Sequence, residues 1–125
     1  MPWTARLSTE HPIIELNYSG IIQPQELKDA TTQTLALAMT HGRSLLLIDF
    51  THLEGGCSVV DLIVMVDEII ASDIARTLRQ ALILPNAPHA LESVWFWETV
   101  CLNRGFVVSL FRSKDKAISW LLNPA

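Results

Sequence analysis

The chain has 125 residues, enough for one domain that hides roughly two-thirds of its unfolded surface. Half of the residues are hydrophobic and 18% are charged, and the net charge of −4 with scattered Lys and Arg excludes the clustered cations on which nucleic-acid binding rests. A mean hydropathy of +0.31 is high for a chain of this size, so some apolar surface is expected to lie outside a lone core, under a partner or a ligand.

Residues 3–7 and 13–18 both alternate, and the turn-rich Ser8-Thr9-Glu10-His11-Pro12 between them predicts an antiparallel hairpin. Ile14, Leu16 and Tyr18 fall on one face of its second strand. Ser19-Gly20 is expected to break that strand, with Ile21-Ile22 continuing briefly. Pro24 then suits the first position of a helix in which Leu27, Ala30, Thr34, Leu37, Ala38 and His41 recur at helical spacing, and Gly42 stops it. His41 reads as a last-turn histidine near the helix's negative end.

Residues 43–50, RSLLLIDF, carry four consecutive large aliphatics, Leu45, Leu46, Leu47 and Ile48, with no charge among them. Such a run fits only a strand covered on both faces, so this is the predicted central strand. It is expected to end in Asp49 and to lead through Thr51-His52-Leu53-Glu54-Gly55-Gly56 into a helix over residues 58–72. Val59, Leu62, Ile63, Val66 and Ile70 form one face of that helix, while Val60, Val64 and Met65 fall outside it. The helix is apolar nearly all round. It is either wedged between the sheet and a neighbouring helix or meets a second subunit as well.

Residues 78–84 read as a further strand, stopped by Pro85, and Pro88 opens a helix running to about Asn103. Ala90, Val94, Trp97 and Cys101 make its inward stripe, and Trp95 and Phe96 point elsewhere. Three adjacent aromatics span about 200° at ~100° per residue, so at least one is expected at a rim, an interface or a pocket. Residues 106–111 form the last predicted strand. Ser113 caps a closing helix with Asp115 in its first turn and Ala117, Ile118 and Leu121 inward. The order β-β-α-β-α-β-α-β-α predicts a single α/β domain with a mixed, mainly parallel sheet.

No apolar run approaches the ~20 residues of a membrane-spanning helix. No basic-then-apolar segment opens the chain either, so a cytosolic protein without a signal peptide is expected. Cys57 and Cys101 read as free buried thiols, too few for a zinc site, and neither a metal nor another cofactor is expected.

Residues 106–122, FVVSLFRSKDKAISWLL, resemble the closing pattern of the small bacterial SpoIIAA-like proteins of the STAS-like group, relatives of the anti-sigma-factor antagonists. The shared pattern is an apolar strand, a Phe, a polar cap, then Ala117 and Trp120-Leu121. Residues 44–53 are similar to that family's central strand with its terminal acidic residue and following turn. The resemblance covers nearly the whole chain and implies a STAS-like fold and a regulatory module acting through protein contacts. Related folds include lipid-carrying CRAL-TRIO domains, so it also allows a carrier or sensor of a small hydrophobic ligand, lipid or quinone-like. In the antagonists the loop after the central strand carries Asp-Ser-Ser-Gly with a phosphorylated serine. Counted without a gap from Asp49, that serine corresponds to Ser58, here within Gly56-Cys57-Ser58-Val59-Val60 and lacking the acidic neighbour and the Ser-Gly.

Ser58 therefore has two readings. As a helix cap its hydroxyl accepts an orphan amide, with Gly55-Gly56 as a flexible lead. As a phosphoacceptor it would add about two negative charges beside Asp49, Glu54 and Asp61 and switch a partner surface off by repulsion. Asp49, His52 and Glu54, the neighbours in this loop, are residue types that serve acid-base or metal chemistry. No nucleophile with its base and no third regularly spaced ligand accompanies them, so no enzyme is expected. His11 and His89 flank prolines and read as solvent-exposed. Val60, Val64, Met65, Trp95, Phe96 and Trp97 are the expected interface or ligand surface, a homodimer first, then a hydrophobic pocket, then a regulatory protein partner.

Overall fold

The computed structural model describes residues 2–72 and 77–123. In chain order the elements are β1 (Trp3–Leu7), β2 (Ile13–Ile21), α1 (Pro24–His41), β3 (Leu45–Gly55), α2 (Val59–Ile70), β4 (Arg79–Ile83), α3 (Pro88–Asn103), β5 (Val107–Phe111) and α4 (Lys114–Leu122). This is the expected β-β-α-β-α-β-α-β-α order of a single mixed α/β sheet with four helices. The five strands lie in sequence order, antiparallel between β1 and β2 and parallel from there to β5. β3 is the middle strand, and its aliphatic run divides between two cores. Leu46 and Ile48 enter the larger cluster, covered by α1, α2 and α3. Leu47, with Leu45 packed beside it, belongs to a smaller cluster under α4 built with Ile13, Ala81, Ile83, Ala117 and Leu121. Helices on both faces are the physical reason that strand tolerates no polar residue between Leu45 and Ile48.

The boundaries follow local chemistry. Pro24 occupies the first turn of α1, Gln23 and Glu26 cap it reciprocally, and Gly42 closes it at φ 63°, a left-handed conformation that costs glycine nothing. Arg43 then turns back on the hairpin, and its Nη1 donates to the carbonyls of Ser8, His11 and Ile13 at 3.1, 3.3 and 3.0 Å. This ties the β1–β2 turn to the start of the central strand. Ser113 caps α4 by accepting from the Lys116 amide, with Ala117 and Leu121 buried beneath it.

Three expectations need correction. β3 does not end at Asp49 but runs on to Gly55, and β2 is not broken at Ser19-Gly20. The two strands keep pairing through Ser19 with His52 and Gly20 with Leu53, across register shifts absorbed beside Gly20 at φ 67°. On α2 the buried residues are Leu62, Met65, Val66 and Ile69, whereas Val59 and Ile70 are exposed. The helix is rotated relative to the predicted stripe, because i, i+3, i+4, i+7 counted from Leu62 gives the inward row. Met65 is 4% exposed and belongs to the core, not to an outer surface. No helix among the described residues is long and apolar enough to cross a membrane.

Candidate functional site

An apolar cavity of about 80 Å³ lies between the sheet and the three helices of the larger core. The chain's alternation makes it. Leu16 and Tyr18 of β2, Leu46, Ile48 and Phe50 of β3 and Gln80 of β4 all project to the same sheet face. Leu35 of α1, Leu62 and Ile69 of α2, and Val94 and Trp97 of α3 close over them. The cavity is partly open, and its half-buried lining residues are Thr31, Leu35, Phe50, Gly55, Cys57 and Ser93. Among the described residues no Asp, Glu, Lys, Arg or His contributes to the lining.

Some of its polar groups are committed to protein partners. Thr34 Oγ1 donates to the Ala30 carbonyl at 2.8 Å. Trp97 Nε1 donates to Gln80 Oε1 at 3.1 Å, which explains how an amide survives at 2% exposure inside a central strand. Among the described residues Gln80 Nε2 reaches only the Cys101 sulfur, at 4.0 Å. Tyr18 is different. It is 5% exposed, stacked on Phe50 with ring centroids 5.3 Å apart, and its hydroxyl has no hydrogen-bond partner among the described residues. Burial, with Cys57 adding to it, pushes the phenol well above the ordinary tyrosine value, so it stays neutral and remains a donor. Burial likewise pushes the Cys57 thiol up to about 11, with Asp61 and Glu26 adding, and Cys101 up to about 12 against the pull of Gln80 and Arg104. Neither is a ready nucleophile at neutral pH.

At one end of the cavity the chain is stitched where β3 passes into α2. The Ile22 amide donates to the Gly55 carbonyl at 2.9 Å, and Cys57 Sγ lies 3.5 Å from the Ile22 carbonyl. Gly56 crosses so close that a Cβ on it would sit 2.2 Å from the Ile22 oxygen. Ser58 is the N-cap of α2, its hydroxyl accepting from the Asp61 amide at 3.2 Å while Asp61 Oδ2 accepts from the Ser58 amide at 2.9 Å. This reciprocal pair satisfies two orphan donors of the helix.

The loop residues do not converge. Asp49 Oδ1 accepts from both the amide and the hydroxyl of Thr51, and strand alternation places Asp49 with Leu47 on the α4 side, away from the cavity. His52 and Glu54 are exposed. Among the described residues no group of three or more His, Cys, Asp or Glu comes together. Of the expected contact surface, Val60 and Val64 are exposed on α2, Trp95 is 47% exposed on α3, Phe96 is half-buried against the core and Trp97 is inside, lining the cavity.

No family model matches the chain, and no curated protein matches its sequence. Solved structures do. The anti-sigma factor antagonist SpoIIAA in its unphosphorylated form matches with TM-score 0.63 and 11% identity over 97% of this chain and 98% of that one. An anti-sigma factor antagonist from Mycobacterium paratuberculosis matches with TM-score 0.60 and 14% identity, over 97% and 95%. A DUF3478-family protein from Shewanella loihica PV-4, described as having a SpoIIAA-like fold, matches with TM-score 0.59 and 16% identity, over 95% and 91%. The chain has the SpoIIAA-like, STAS-type fold. On this SpoIIAA-like sheet the residues that sequence reasoning missed are Tyr18 and Gln80. Tyr18 reads as one more apolar-face residue of an alternating strand. Gln80 is visible as the one amide in an otherwise apolar strand core, and its partner Trp97 lies on a different element.

Proposed function

We propose that this protein is a non-enzymatic binding module that takes a small apolar ligand between its sheet and helices α1, α2 and α3, as a carrier or sensor. The observation that carries the reading is the cavity itself, predominantly apolar and, among the described residues, free of charged lining. Protein interiors are close-packed, so a space of this size in a chain with so small a core is a departure that a bound molecule would account for. The protonated thiols and the dispersal of Asp49, His52 and Glu54 support binding over chemistry. Native mass spectrometry of freshly purified protein is expected to show a neutral apolar adduct that organic extraction removes. Preparations always at the bare chain mass, together with no uptake of small neutral probes, would overturn it.

A second reading is favoured by a different observation. Val59, Val60 and Val64 are 52%, 67% and 50% exposed on the first turns of α2, next to the N-cap Ser58. On the fold of an anti-sigma factor antagonist this suits a regulatory module whose contacts, with a second copy or another protein, run over α2. Phosphate on Ser58 would place charge at the rim of that surface.

A further inference from the structure

We propose that the Tyr18 hydroxyl is the recognition group of the cavity, and that the ligand it selects is a neutral, largely apolar molecule bearing a hydrogen-bond acceptor oxygen of the ketone, quinone or ester class. The proposal rests on the ligand-binding reading and names the chemistry of its ligand.

The argument begins with a polar atom that folding leaves unspent. The Tyr18 ring is held by its stack on Phe50, a role a phenylalanine would fill equally well. The hydroxyl adds a donor in a largely apolar setting, with no protein partner among the described residues. Tyr18 lines the cavity, so an acceptor placed there is what would satisfy it. The nearby Cys57 thiol is already directed to the Ile22 carbonyl. Of the other polar side chains of the lining, Thr34 donates to its own helix and Gln80 accepts from Trp97, while the Thr31 and Ser93 hydroxyls sit on half-buried residues.

Charge decides the rest. A carboxylate in the cavity would lose its hydration without gaining a cation, because among the described residues neither Lys nor Arg lines it. A pure hydrocarbon would fit the walls but leave the phenol unpaired. A carbonyl attached to an apolar body fits both, and the phenol stays protonated to donate to it. At about 80 Å³ the enclosed part holds a single small ring or a short acyl segment, with any remainder reaching out past Thr31 and Leu35.

The test uses the full chain and three matched probes, cyclopentanone, cyclopentane and cyclopentanecarboxylate, titrated by NMR into the wild type and Tyr18→Phe. Cyclopentanone is expected to bind the wild type and to weaken roughly two- to tenfold in Tyr18→Phe, the range of one net hydrogen bond. Cyclopentane is expected to bind the variant at least as well as the wild type, and the carboxylate to bind neither. Equal ketone affinity in the two proteins, or carboxylate binding at least as tight as the ketone's, overturns the proposal while leaving the ligand reading intact. If no neutral probe binds the wild type, both fall. Should Tyr18→Phe fail to fold, the wild type alone decides. Its Tyr18 hydroxyl and Cζ resonances are expected to shift on adding ketone and not on adding hydrocarbon, and no shift with ketone overturns the proposal.

Discussion

Gly56 shows most directly how one residue shapes the site. Its φ is 120°, and a Cβ placed there would lie 2.2 Å from the Ile22 oxygen, so no side chain fits without moving the backbone that frames the cavity. Gly56→Ala is therefore expected to lower stability by at least about 2 kcal/mol in urea unfolding. Gly42→Ala is the matched comparison. It is also at positive φ, but with nothing within 4 Å, so it is expected to cost only about 1 kcal/mol. Equal costs would show that the close approach to Ile22 does not constrain the site. The sequence marks Gly55-Gly56 as a flexible lead into a helix, yet nothing in it reveals that Ile22, far back in the chain, is the surface Gly56 must clear.

Among the elements, α2 carries the most conflict between local and tertiary demands. Its start is local chemistry, Ser58 and Asp61 capping each other across one turn. Ser58→Ala is expected to cost about 1 kcal/mol in thermal or urea unfolding, the usual loss of such a cap, while leaving the sheet intact by circular dichroism. A change within a few tenths would mean the reciprocal bonds contribute little. Its inward face is tertiary. Nearly every position of the helix is apolar, so hydrophobic pattern alone does not choose the buried row. The choice falls to Leu62, Met65, Val66 and Ile69 because α2 must pack against both α1 and α3 over the common core. The same crowding puts Met65 inside and leaves Val59, Val60 and Val64 out. On α3, by contrast, polar residues flank the stripe and the expected Ala90, Val94, Trp97 and Cys101 are buried.

For the molecule as a whole, the excess of apolar side chains has several outlets, first the cavity and second the outer face of α2, with Met39, Trp95 and Leu102 exposed on other helices. The second outlet makes a prediction at this scale. Light scattering at micromolar concentration is expected to report a dimer, and Val60→Asp or Val64→Asp to return a monomer with unchanged helix content. A strictly monomeric wild type would remove self-association as the account of the exposed α2 face. The element order, the caps at Pro24, Gly42, Ser58 and Ser113, and the central place of Leu45 to Ile48 were determined by sequence alone, because each is set by neighbours within a few residues or by a run too apolar for any other environment. The extension of β3 to Gly55, the rotation of α2, and the meeting of Tyr18 with Phe50 and of Gln80 with Trp97 were decided only in three dimensions. Those depend on pairing register and on helices packing over a common sheet face, contacts between residues distant in the chain that no local pattern encodes.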